Sequence, residues 1–229
     1  MQVSGWDGRR GWVRTWSLRL VGRTAARRWE GRAGLIVRGH GAIALGVDGR
    51  QQPLPWGARL VALGRDGGRH LVQLPDGRRA FLRSAHVRSW RSSVPPAERV
   101  IDTARQGLGS PYLWGGTTPW GFDCSGLVQW AFALNGVALS RDAEEQWREL
   151  EPVTTAVEPG DLLFFGRRGI QHVALVTRPP WFLHAHGKVE ETTMRASGRP
   201  ELAPLLVGAA RPLSGRRHQH RVTGTVAGR

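Results

Sequence analysis

Apolar residues recur at helical spacing in two stretches of the chain. The first stretch follows Cys124 and consists of Leu127, Val128, Ala131, Phe132 and Leu134. Residues three and four positions apart share one face of a helix, so this spacing predicts a helix that begins at Cys124 and ends at Gly136. The second stretch consists of Val100, Ile101, Ala104 and Leu108. It predicts a helix that ends at Gly107 and Gly109.

The first 90 residues have the pattern of short strands. Apolar runs alternate there with dipeptides that favour tight turns, such as Asp66-Gly67 and Asp76-Gly77. The runs cover residues 34–38, 42–49, 59–63, 70–74 and 78–82. Regular spacing of short strands and turns is typical of a small barrel. We therefore expect residues 1–90 to be all β and to form a small β-barrel domain.

Composition marks two further boundaries. Residues 91–96 have no hydrophobic period and end in Pro95-Pro96, which suits a linker followed by a helix start. Residues 97–213 contain the predicted helices and further strand-like runs, which lie at 162–165, 172–177 and 181–186. Residues 214–229 are rich in arginine and histidine and poor in apolar residues, which predicts a basic, disordered tail.

The chain is strongly basic, with 33 Lys and Arg against 18 Asp and Glu and a formal net charge of +15. Such a charge can indicate binding to nucleic acid or to acidic polymers. The arginines are dispersed over both halves of the chain, however, and we expect no nucleic-acid partner. No run reaches the roughly 18 apolar residues of a membrane helix, and the first 30 residues lack the apolar segment of a signal peptide. As written, the sequence predicts a cytoplasmic protein, or a secreted wall protein if the N-terminus is truncated.

Candidate chemistry centres on Cys124, the single cysteine of the chain. A lone cysteine is often a packing residue. At a helix start, however, backbone N–H groups and the helix dipole favour the nucleophilic thiolate. His172 and His184 each fall in a strand-like run and could supply a base and a group that orients it. His186 points to the same face as His184, so the strand pattern alone does not choose between these two histidines.

These residues lie within six motifs that follow one another along the chain. The motifs are Tyr-Leu-Trp-Gly-Gly, Asp-Cys-Ser-Gly-Leu-Val, Ser-Arg-Asp-Ala-Glu-Glu-Gln, Pro-Gly-Asp-Leu-Leu-Phe-Phe, His-Val-Ala-Leu-Val and Phe-Leu-His-Ala. In sequence and order they resemble the motifs of the NlpC/P60 cysteine peptidases, and the resemblance covers residues 97–213, more than half the chain. The resemblance implies an α+β fold with a papain-like catalytic domain. It also implies cleavage of peptidoglycan peptides between D-γ-glutamate and a diamino acid. Residues 1–90 resemble the SH3-like β-barrel domains that often precede this catalytic domain.

The resemblance also assigns roles to individual residues. It implies that Cys124 is the nucleophile, His172 the base and His184 the residue that orients the base. The Tyr112 hydroxyl would join the Cys124 backbone N–H in holding the oxyanion. The residues that flank the nucleophile, Asp123 and Ser125, would contact the backbone of the bound peptide.

Asp142 has two interpretations. It precedes Ala143-Glu144-Glu145, so it could simply cap a helix in a capping box. By resemblance to family members that recycle wall peptides, the Arg141-Asp142 element would instead bind the free amine of an N-terminal L-Ala. Ala143 departs from the serine expected at that position.

Other functions fit the sequence less well. No cofactor is implied, and without a His-x-x-x-His or Cys-x-x-Cys pair we expect no metal site. A related branch that performs acyl transfer or lipid hydrolysis has its histidine before its cysteine, whereas Cys124 comes first here. A non-enzymatic module that binds a polymer would explain the charge but not the cysteine and histidines. An exported hydrolase that acts on the intact wall remains an alternative to a recycling enzyme.

Overall fold

The computed structural model describes residues 1–5, 9–39, 41–90 and 95–213. They fall into two compact units, the first within residues 1–91 and the second within residues 92–222. The predicted disordered tail, 214–229, and most of the predicted linker lie outside the described residues. None of the helices in the described ranges is long and apolar enough to cross a membrane.

The first unit is built on an antiparallel sheet of seven strands. An N-terminal hairpin, β1 (Gln2–Ser4) and β2 (Arg10–Trp12), and a helix, α1 (Arg23–Arg32), precede this sheet. Its strands are β3 (Leu35–Val37), β4 (Ile43–Gly46), β5 (Gln51–Pro53), β6 (Arg59–Asp66), β7 (Arg69–Gln73), β8 (Arg79–Arg83) and β9 (Val87–Ser89). They are ordered β5-β4-β8-β7-β6-β3-β9. The strands predicted from all five apolar runs are therefore confirmed.

Two expectations for this unit differ from the structure. The prediction that residues 1–90 are all β is wrong at α1, which contains good helix formers such as Ala25, Ala26 and Arg27 but buries none of its residues. A helix without a buried face has no hydrophobic period from which it could be predicted. The barrel is also not closed, since β5 and β9 each pair with one strand only among the described residues. The core lies on one face of this open sheet and includes Val37, Leu60, Val72 and Leu82.

The second unit combines helices with an antiparallel sheet of six strands. The helices are α2 (Ala97–Arg105), α3 (Cys124–Leu134) and α4 (Ala143–Glu149). A small hairpin, β10 (Thr117–Thr118) and β11 (Gly121–Phe122), precedes α3. The sheet strands are β12 (Glu151–Pro152), β13 (Leu162–Phe165), β14 (His172–Arg178), β15 (Trp181–His186), β16 (Lys188–Thr192) and β17 (Leu206–Arg211). Their order is β12-β17-β13-β14-β15-β16.

The sheet of the second unit is covered on both faces. Helix α3 packs against β14 and β15, and α2 packs against α3 and β14. On the other face, Leu163, Phe165, Val176 and Phe182 form a core cluster with Leu202 from the 3-10 helix Pro200–Leu205. Nearly every residue of α3 is buried, which fits its almost continuous apolar sequence. Cys124 is thus the first residue of a helix held firmly in the core.

Asp161 shows how a turn is tied to the sheet of the second unit. Its carboxylate accepts a hydrogen bond from the Glu158 backbone N–H at 2.8 Å, as expected of an aspartate that serves a turn. It also accepts bonds at 2.8 and 2.9 Å from the guanidinium of Arg211 in β17. The carboxylate is almost fully buried, so this charge-assisted pair fixes the turn before β13 against β17.

Candidate active site

The position of Cys124 is set by the cap of α3. The preceding residue, Asp123, has extended backbone dihedrals, and its carboxylate accepts a hydrogen bond from the Gly126 N–H at 2.7 Å. This is the geometry of an N-cap, which satisfies one of the unpaired N–H groups of the first turn. A Cβ on Gly126 would overlap the carbonyl oxygen of Gly116, so glycine is needed for the loop to approach α3. The predicted helix start at Cys124 is therefore confirmed.

The Asp123 carboxylate also joins three segments of the second unit. It accepts a hydrogen bond from the Gly115 N–H at 2.8 Å and a bidentate pair from the Arg141 guanidinium at 2.9 and 2.5 Å. Arg141 further donates to the Ser125 hydroxyl at 3.0 Å. Both side chains that flank Cys124 are thus engaged within the protein. Their predicted contacts with a bound peptide stay predictions.

The two predicted histidines meet in the sheet. His172 is the first residue of β14, and its Nε2 lies 2.9 Å from Nδ1 of His184 in β15. His184 is completely buried. His186 is exposed at the end of β15, and its ring stacks on that of His184 with the centroids 6.0 Å apart. The direct hydrogen bond therefore distinguishes His184 from His186, which the strand pattern did not.

Cys124 lies beside this histidine pair. Its thiol receives a hydrogen bond from the backbone N–H of Val173, the residue after His172. Helix α3 also packs on β14, the strand that begins with His172. The fold thus brings together the three residues that the sequence predicts as nucleophile, base and orienting residue.

Burial controls the protonation of the pair. It raises the pKa of the Cys124 thiol, and the Asp123 charge adds to this, although N–H groups of Val173, Ser125 and Cys124 oppose it. Burial also lowers the pKa of His172 to about 3, helped by the neighbouring His184 and His186. The expectation that the helix start favours the thiolate is thus wrong for the free protein, because the net effect of these contributions is to raise the thiol pKa. The resting pair consists of a neutral thiol and a neutral imidazole.

Tyr112 lies close to the cysteine. Burial raises the pKa of its phenol, and the charges of Cys124 and Asp123 add to the shift. The Tyr112 backbone N–H donates to the Gly187 carbonyl at 2.8 Å, which holds the residue beside the turn between β15 and β16. The hydroxyl therefore stays protonated and can donate a hydrogen bond near Cys124.

Asp142 occupies the N-cap position of α4, but its side chain makes no capping hydrogen bond. The Gln146 N–H instead bonds the Asp142 backbone carbonyl at 2.9 Å, as the first turn of a helix requires. The side chain is exposed. The interpretation of Asp142 as a simple helix cap therefore lacks its defining bond.

Comparison with known proteins agrees with this geometry. The model of the NlpC/P60 family matches residues 109–209, which include Cys124 and both paired histidines. The chain carries an NlpC/P60 family domain. A crystal structure of an NlpC/P60 family protein from Bacillus cereus is 27% identical, covers 90% of this chain and 71% of that chain, and superposes with a TM-score of 0.77. The mixed α/β architecture is therefore that of this family.

Two curated relatives carry the names of peptidases. A gamma-D-glutamyl-L-lysine dipeptidyl-peptidase from Bacillus cereus is 35% identical over 159 residues, which are 66% of this chain and 45% of that protein. A bifunctional muramidase/DL-endopeptidase from Bacillus subtilis is 41% identical over 96 residues, which are 39% of this chain and 29% of that protein. The chain thus spans less than half the length of these curated relatives.

The structure also reveals polar residues of the NlpC/P60 domain that the sequence reasoning missed. Glu190 in β16 lies 3.3 Å from Nε2 of His184, and Arg199 donates to the same carboxylate at 2.7 Å. The signal available was the spacing of His184, Gly187 and Glu190, because a turn at Gly187 places the other two opposite each other. The described residues contain no group of three or more His, Cys, Asp or Glu side chains arranged to hold a metal ion.

The protonation state gives a testable prediction. Because burial raises the thiol pKa, the thiolate should form only at a higher pH than that of an ordinary cysteine. We expect the ultraviolet absorbance difference between the wild type and Cys124→Ala to show no thiolate between about pH 5 and pH 8. A thiolate signal already present near pH 6 and lost in His172→Ala would contradict the neutral pair.

Proposed function

We propose that this protein is a cysteine peptidase that hydrolyses the bond between D-γ-glutamate and a diamino acid in peptidoglycan peptides. The observation that carries this proposal is the hydrogen-bonded His172–His184 pair beside a cysteine at a helix start. A nucleophile, a base and a group that orients the base are the minimal set for thiol acyl transfer. The relatives named as peptidases of glutamyl peptides support the substrate class.

The neutral resting pair requires that the proton move during the attack. His172 takes the proton of the Cys124 thiol as the sulfur attacks the glutamyl carbonyl carbon, and the carbonyl electrons form an oxyanion. The imidazolium then protonates the leaving amine as the C–N bond breaks, which gives a thioester. His172 next deprotonates water, the hydroxide attacks the thioester, and the thiolate leaves and recovers its proton from His172. No cofactor takes part in these steps.

The oxyanion requires donors at the start of α3. The Cys124 backbone N–H belongs to the first turn and is available for this purpose. The protonated Tyr112 hydroxyl, which lies near the cysteine, is the second donor. One such donor is worth about 3 kcal/mol of the reaction barrier.

The test of the proposal is a substitution of the nucleophile. Cys124→Ala should abolish hydrolysis of a γ-D-glutamyl-diaminopimelate peptide and leave the circular dichroism spectrum unchanged, because the side chain removed is small. Alkylation of the wild-type protein with iodoacetamide should have the same effect. Turnover by Cys124→Ala at the wild-type rate would rule out the thiol mechanism.

We further propose that the substrate is a short peptide with a free N-terminal L-Ala. The exposed Asp142 carboxylate, adjacent to the Arg141 that braces Asp123, supports this refinement. A carboxylate that pairs with an ammonium discriminates by charge, because an acylated amine leaves the acid without its partner. The alternative is a hydrolase that acts on the intact wall, where the same alanine is acylated.

This refinement predicts a preference that depends on one charge. L-Ala-γ-D-Glu-diaminopimelate should have a kcat/KM about 10-fold or more above that of its N-acetyl form, which corresponds to one hydrogen-bonded charge pair of about 1.5 to 3 kcal/mol. Asp142→Asn should remove the preference. Glu144→Gln is the matched control, since Glu144 is an exposed acid of the same helix that pairs with Arg148. Equal kcat/KM values for both peptides with the wild-type protein would favour the intact-wall alternative.

The two-domain arrangement completes the proposal. We assign residues 1–90 to an SH3-like domain, 91–96 to a linker and 97–213 to a papain-like catalytic domain. The antiparallel sheet of short strands in the first unit supports the first assignment, although that sheet is open. A helix that begins with the nucleophile and packs on an antiparallel sheet supports the last assignment.

A further inference from the structure

Glu190 is aligned with the orienting histidine by the sheet itself. Strands β15 and β16 form an antiparallel hairpin in which His184 is directly opposite Glu190. Opposite residues of such a pair project to the same face of the sheet. The Glu190 Oε1 atom lies 3.3 Å from Nε2 of His184, on the side of the ring remote from His172.

Arg199 keeps Glu190 in its charged form. Its Nε and one terminal nitrogen lie 2.7 and 2.6 Å from Oε1 of Glu190. Arg199 is itself anchored by its backbone N–H, which donates to the Thr193 carbonyl at 2.7 Å. Burial alone would raise the pKa of Glu190, but the bonds and charge of Arg199, with the bond from His184, hold it below its ordinary value. An ionised carboxylate can only accept hydrogen bonds.

This acceptor determines where the protons of both histidines lie. A neutral imidazole carries one proton, and which nitrogen holds it depends on the partner of the other. Because Glu190 can only accept, the proton of His184 lies on Nε2, and its Nδ1 is an acceptor. The 2.9 Å bond then requires that His172 donate from its own Nε2. Nδ1 of His172 is left as the nitrogen that can take a proton from Cys124.

We propose that Glu190, held by Arg199, is a positioning residue that selects the tautomer of His184 and, through it, the tautomer of His172 that acts as the base. The inference deepens the proposed function, because the base role of His172 rests on that function. The arrangement of protons does not rest on it, and it can be observed without substrate.

The test uses the full-length protein labelled with ¹⁵N-histidine. In the wild type, the nitrogen chemical shifts and couplings should show His184 and His172 both protonated at Nε2. Glu190→Leu removes the acceptor and leaves Arg199, which can only donate, beside His184, so it should convert part or all of His184 to the Nδ1-protonated form. Glu191→Leu is the matched control, because Glu191 is the next residue and pairs with Arg105 rather than with a histidine. It should leave both tautomers unchanged.

Kinetics supply a second readout. With the γ-D-glutamyl peptide, Glu190→Leu should lower kcat by about 100-fold or more with little change in KM, because the wrong tautomer removes the base without removing a substrate contact. A wild-type His184 protonated at Nδ1, or tautomers unchanged in Glu190→Leu, would overturn the inference. An inactive wild type with the expected tautomers would overturn the proposed function and leave the proton arrangement supported.

Discussion

The hydrogen bond between His172 and His184 is the interaction on which the site depends. His184 is completely buried, and a buried imidazole without partners would cost about 1 to 3 kcal/mol. Both of its nitrogens are satisfied, one by His172 and the other by Glu190. This is possible only in the register that places His184 opposite Glu190. The two hydrogen bonds of the buried His184 ring thus link the three neighbouring strands β14, β15 and β16.

The nucleophile is placed by a second polar network on the helical side. Asp123 caps α3 and is held in turn by Arg141, so the first turn of the helix is braced from outside. The resulting site is so buried that thiol and imidazole remain neutral, which avoids the cost of an ion pair in a medium of low dielectric. In the proposed mechanism, the thiol is therefore activated during the reaction itself, when His172 takes the proton as the carbon–sulfur bond forms. The site therefore relies on the fixed positions of Cys124 and His172 rather than on a thiolate–imidazolium pair in the resting protein.

Much of this arrangement could be predicted from the sequence, for physical reasons. The apolar spacing after Cys124 gave helix α3 and its start, because a buried helix must be apolar on its packed faces. The choice between His184 and His186 could not be made from alternation, because both lie on one face and only the hydrogen bond to His172 separates them. Helix α1 escaped prediction because it buries none of its residues. The reversed thiol pKa was missed because the helix dipole was weighed without the burial that outweighs it.

The central claim is that His184 orients the base, rather than His186, which lies on the same face of β15. A comparison of His184→Ala with His186→Ala tests this claim most directly, using kcat/KM for hydrolysis of a γ-D-glutamyl-diaminopimelate peptide. His184→Ala should lose about 100-fold or more, as expected when a base loses its orienting partner. His186→Ala, which removes only an exposed ring, should lose less than about 10-fold. Equal losses in the two variants would contradict the account.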